Sequence, residues 1–87
     1  VIDHMHIRLF TVEAVTISAG HWNTQNVQSP FWRFYRNPEE GASLRLSNGE
    51  RFPLAAERVY FVPAGVRFSC RNEAAFRHFY IHFDLIG

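Results

Sequence analysis

FRHFYIHFDL, running from Phe76 to Leu85, decides the fold. Successive side chains alternate across an extended chain, so Phe76, His78, Tyr80 and His82 fall on one side and Arg77, Phe79, Ile81 and Phe83 on the other. Aromatic and β-branched residues on both sides suit a pleated strand. Working backward, Phe31, Arg33 and Tyr35 oppose Trp32, Phe34 and Arg36 in the same way. Ala42, Leu44 and Leu46 alternate with Ser43, Arg45 and Ser47. Asn48-Gly49 comes next, a dipeptide suited to a type I′ hairpin whose two central positions both need positive φ, with Glu50 to Leu54 as the return strand. Val59-Tyr60-Phe61-Val62 is a dense apolar strand stopped by Pro63-Ala64-Gly65. Val66 to Cys70 resumes the sheet before a turn over 71–75. Phe61 and Phe79 are expected to be buried core residues.

Toward the N-terminus, Ile7 to Ile17 reads as an edge strand with Ile7, Leu9, Thr11, Glu13 and Val15 on one face, and residues 21–30 have the composition of a loop. No window keeps helical spacing for two turns. The expectation is an all-β domain of six or seven short strands, a small jelly-roll barrel or curled sandwich. With 87 residues there is room for one domain. Residues 1–29 are read as arm and rim, and 30–87 as barrel core. The sequence lacks an initial Met and stops directly after its most strand-like segment, so it is expected to be a piece of a longer polypeptide.

Hydrophobic residues at 47% and charged residues at 20% place the chain among globular proteins. Aromatics reach 16%, which suits a barrel interior or a pocket for something flat. All nine fixed cations are Arg, yet no basic run offers a footprint for nucleic acid. Cys70 is the only cysteine, which excludes an internal disulfide and fits a reducing compartment, so the cytoplasm is the expected location. No apolar run is long enough to span a membrane, and no signal peptide is visible.

Candidate chemistry centres on histidines. His4 and His6 are two apart. His78 and His82 share a strand face but stand about 13 Å apart, too far to hold one ion together. No carboxylates gather beside them, so no metal is expected. Ser43, Ser47 and Ser69 lie outside any G-x-S-x-G elbow, and no phosphate-binding glycine loop occurs. Neither catalytic residues nor a cofactor are expected, and the chain is read as a binding domain rather than an enzyme. What stands out is the face carrying His78 and Tyr80, since each buried polar group needs a partner or costs about 1–3 kcal/mol. Together with Arg33 they form a polar set over an aromatic floor, suited to a sugar, a polyol or another small polar molecule.

FWRFYRNPEEGASLRLSNGERFPL, RVYFVPAGVRFSC and FRHFYIHFDL, in that order, resemble the N-terminal sensory domain of AraC-type transcriptional regulators. The resemblance spans about Trp32 to Leu85 and implies a cupin-like barrel. It further implies a homodimer, and DNA binding through a C-terminal helix-turn-helix domain absent from this chain. It places ligand contacts in the barrel interior, at His78, Tyr80 and Cys70, with Arg33 as a weaker match. Against the second cupin motif, Pro63, Gly65 and Asn72 fall in register. Glu57 replaces the first glycine, and Phe68 replaces the metal-binding histidine. The first cupin motif is not found, which removes the metal site of enzymatic cupins. A metal-dependent cupin enzyme and a stand-alone carbohydrate-binding domain are the alternatives.

Overall fold

A computed structural model describes residues 6–86, and every regular element in it is a strand. The strands are β1 (His6–Ile17), β2 (Thr24–Val27), β3 (Trp32–Arg36), β4 (Ala42–Leu46), β5 (Arg51–Pro53), β6 (Val59–Val62), β7 (Phe68–Asn72) and β8 (Phe76–Ile86). They form two antiparallel four-stranded sheets, ordered β1-β8-β3-β6 and β2-β7-β4-β5. Within them β1 pairs with β8, β2 with β7, β3 with β6 and β4 with β5. The chain is thus one long hairpin with its tip between β4 and β5, rolled up into the jelly roll expected from the sequence. Among the described residues no helix is long and apolar enough to cross a membrane.

The tip turns differently from expectation. Gly49 N–H donates to Leu46 O at 3.0 Å and Leu46 N–H to Glu50 O at 2.8 Å, and Gly49 has φ 91°. Asn48 is not in the positive-φ region, so the connection is a three-residue turn closed by a left-handed glycine, not a type I′ pair. Asn48 stabilises it by accepting from Glu50 N–H at 2.9 Å. Two other boundaries move. Residues 21–30 contain β2, a short polar strand with an irregular register against β7, and β7 itself begins at Phe68 rather than Val66.

Between the sheets lie Tyr35, Ala42, Leu44, Leu54, Val62, Phe68, Cys70 and Phe76. The alternation read from β3 and β8 holds: Arg33 and Tyr35 face inward, opposite His82 and Tyr80 of β8. In β1 it breaks at Phe10. Leu9 pairs with Phe83 and Thr11 with His82, so one extra residue bulges out. The bulge turns Ile7 and Leu9 to the outer face while Thr11, Glu13, Val15 and Ile17 face inward. Phe61 and Phe79 are on the outer face too, in an edge-to-face cluster with Phe34, and Phe61 is 58% exposed. Their expected core burial is therefore corrected. Alternation separates two faces but does not say which one meets the second sheet, and here both carry aromatics.

Candidate ligand-binding site

The inner face of β1, β8 and β3 borders a cavity of about 270 Å³, lined by Val15, Ile17, Trp22, Arg33, Tyr35, His78, Tyr80 and His82. Cross-strand pairing places Glu13 opposite Tyr80, and Arg33 opposite His82. Trp22 comes from the β1–β2 loop, which Asn72 clamps. The Asn72 side chain accepts from Trp22 N–H at 2.9 Å and donates to Ser18 O at 2.8 Å and Ala74 O at 3.2 Å. Asn72 is 2% exposed. It was legible only as a motif position, because a buried asparagine looks like a turn residue in sequence.

His78 forms the floor. It is 3% exposed and surrounded by the rings of Trp22, Tyr35, Phe76 and Tyr80, at centroid distances of 4.8 to 5.4 Å. Its Nδ1–H donates to Asn37 Oδ1 at 2.6 Å, and Asn37 Nδ2 stays buried without a partner among the described residues. Burial, aided by nearby His82, depresses the His78 pKa to about 4. In the unfolded chain the ring takes up a proton near 6.5, so between these values the unfolded state binds more protons. Stability from this group is complete above pH 6.5 and is lost as pH falls toward 4. A thermal melt at pH 5 is expected about 10 °C below one at pH 7.5. A His78→Leu variant should show a clearly smaller difference between the two.

Above the floor, Tyr80 Oη donates to Glu13 Oε2 at 2.9 Å. Burial and then this carboxylate raise the phenol pKa. Arg33 is half-buried and donates to Ser29 Oγ at 2.6 Å, His82 Nε2 at 3.1 Å and, at a long 3.4 Å, Tyr35 Oη. Its guanidinium lies over Phe31 at 5.0 Å and Phe68 at 5.4 Å. Burial, followed by the Arg33 charge, lowers the His82 pKa, so that ring is a neutral acceptor. Burial raises the Tyr35 pKa to about 12, more than the Arg33 charge lowers it.

Three of the four ligand candidates, Arg33, His78 and Tyr80, therefore line one cavity. Cys70 does not line it. It sits on β7 of the opposite sheet, 7% exposed, where burial raises the thiol pKa against a Thr24 hydrogen bond and the Arg33 charge. It borders a separate hollow with Thr24, Ser43 and Ser69. Glu13 and Trp22 reach the site unannounced, since neither belongs to the strands that carried its signal.

The residues present do not fit a metal ion. His78 spends Nδ1 on Asn37, and His82 Nε2 meets a guanidinium whose charge repels a cation. Among the described residues no three His, Cys, Asp or Glu side chains converge to hold one. His4 lies outside the described residues.

The sequence matches no protein-family model and no curated protein. Solved structures share its fold. A cupin superfamily protein from Desulfitobacterium hafniense superposes with a TM-score of 0.72 at 12% identity, over 94% of this chain and 79% of that one. A conserved protein of unknown function from Streptococcus pyogenes gives 0.72 at 16% identity, over 94% and 75%. Salicylate 1,2-dioxygenase from Pseudoaminobacter salicylatoxidans gives 0.68 at 15% identity, over 94% of this chain and 28% of the enzyme. The chain has a cupin-like fold, and proteins so different sharing it leave function to be argued from the site.

Proposed function

We propose that this domain is the effector-sensing module of an AraC-type transcriptional regulator, taking a small polar molecule into the cavity on the inner face of β1, β8 and β3. The observation that carries this reading is the convergence of Arg33, Tyr80 and His82 on one inner face among aromatic rings. The motif order over Trp32 to Leu85 supplies the regulatory part of the proposal. DNA contact is assigned to sequence outside these 87 residues. Binding rather than turnover is assigned to the cavity: its most buried imidazole, His78, is neutral and tied to Asn37.

Strand β1 suits the coupling. Val15 and Ile17 line the cavity, while Ile7, Leu9 and Val12 stand 65%, 60% and 51% exposed. With Phe61, 58% exposed, they give an outer apolar face of the kind that marks a protein–protein interface. Charges bordering this face are already paired, Arg36 with Glu57 and Arg77 with Glu39, so a second copy could meet it without opposing like charges. A ligand that favours one position of β1 would then shift the dimer equilibrium and, through it, DNA affinity.

The test is a thermal-shift and Trp-fluorescence screen of the chain against small polar metabolites, with sedimentation equilibrium in parallel. At least one compound should raise the melting temperature and change Trp22 emission, and Tyr80→Ala should weaken that response about tenfold. A panel without any response would remove the sensing role. Sedimentation as a monomer at high concentration would remove the dimer.

A further inference from the structure

Arg33 is out of balance with its surroundings. Arg8, Arg36, Arg71 and Arg77 each pair with a carboxylate, and Arg45, Arg51, Arg58 and Arg67 are solvent-exposed. Arg33 alone among the arginines is half-buried, and among the described residues no carboxylate lies within ion-pairing distance of it. All three of its hydrogen-bond partners, Ser29, Tyr35 and His82, are neutral acceptors. They satisfy N–H groups but cannot neutralise the charge, and a partly buried cation without a counter-charge carries a desolvation cost that an anion would offset. A guanidinium has five N–H donors, so three bonds leave two unspent, enough for the paired contact a carboxylate makes.

Glu13 is the acid that touches the cavity lining, through Tyr80. It lies on the β1 side of β8, bound by the Tyr80 hydroxyl, while Arg33 reaches in from β3 on the other side. Arg33 is therefore the one charged side chain lining the cavity, while the exposed Glu13 carboxylate beyond Tyr80 favours an acid whose charged end turns toward β3. Tyr80 stands between the His78 and His82 rings, with centroids 5.1 and 5.0 Å away, and the Phe31 ring lies 4.6 Å from His82, so these side chains form one aromatic column beside the cavity. At about 270 Å³ the space falls just below the range of roughly 300–1,000 Å³ used by drug-sized ligands.

We infer that the molecule taken up here is a small organic acid rather than a neutral sugar, its carboxylate received by Arg33 and its apolar body lying beside the Tyr80 and His82 rings. This inference rests on reading the cavity as an effector site. It narrows the expected ligand class to one whose charge completes the site.

Matched probes separate the inference from its premise. Benzoate, nicotinate and phenylacetate are titrated into the chain by calorimetry, each beside its own carboxamide, together with xylose and glycerol. At least one acid should bind ten or more times tighter than its amide, and added salt should weaken the acid alone. Arg33→Gln should abolish that preference. The wild-type acid-to-amide ratio carries the test even if that variant fails to fold. Amides, xylose or glycerol binding as well as or better than the acids would overturn the carboxylate and leave the cavity a ligand site. Silence from every probe would overturn both.

Discussion

Phe76→Ala is expected to destabilise the domain by about 3–5 kcal/mol, enough to leave much of a chain this small unfolded at 37 °C. Phe76 is 2% exposed and packs edge-to-face on Trp22 and the His78 ring. Its removal opens a void beneath the cavity floor, within the buried cluster that Trp22 and Ile17 pack against. Phe61→Ala is the control. With 58% of its surface in solvent, it should cost about 1 kcal/mol or less in the monomer. Urea unfolding of both variants measures the contrast. Equal losses would mean that the outer aromatic face is covered in solution, a result that would favour the proposed dimer over the isolated monomer.

Asn72→Ala should cost about 2–4 kcal/mol, because it leaves the Trp22 N–H and two loop carbonyls without their partners in a buried setting. Stability is only half of the expected result. Asn72 also fixes Trp22 against the cavity, so the variant should shift Trp22 emission to the red in a Trp32→Phe background. It should weaken any ligand more than its exposure to that ligand would explain, since Asn72 does not line the cavity. An Asn72→Ala protein with native emission would show that the loop is held by packing alone.

Much of the site was readable because a strand fixes side-chain direction. Once Phe76 to Leu85 was read as extended, His78, Tyr80 and His82 had to share a face, and Arg33 with Tyr35 had to share one on their own strand. That these faces meet follows from the pairing of β3 with β8, about 50 residues apart, which no local pattern encodes. Glu13 joined them through β1. The Phe10 bulge splits the face expected for that strand, so reading alternation straight through would have kept Ile7 and Leu9 beside Glu13. Strand β2 was hidden for a different reason. Thr24 to Val27 is polar and pairs irregularly at an edge, so neither alternation nor β propensity marks it.

His78 shows where the two levels part. Its sequence setting, an imidazole among aromatic residues, said that it would need a partner, and desolvation cost makes that true in any fold. Whether the partner would be a ligand or the protein itself was settled by Asn37, 41 residues away, whose carbonyl oxygen sits 2.6 Å from Nδ1. By itself the sequence determined most of the strands, the two-sided character of β3, β4 and β8 and the polar set on β8, because these depend on backbone geometry within a few residues. Only the tertiary structure decided which faces were buried, which polar groups were already satisfied and that Arg33 was left without a counter-charge. Those outcomes depend on which strands become neighbours, and that is fixed by burial and pairing across the whole chain.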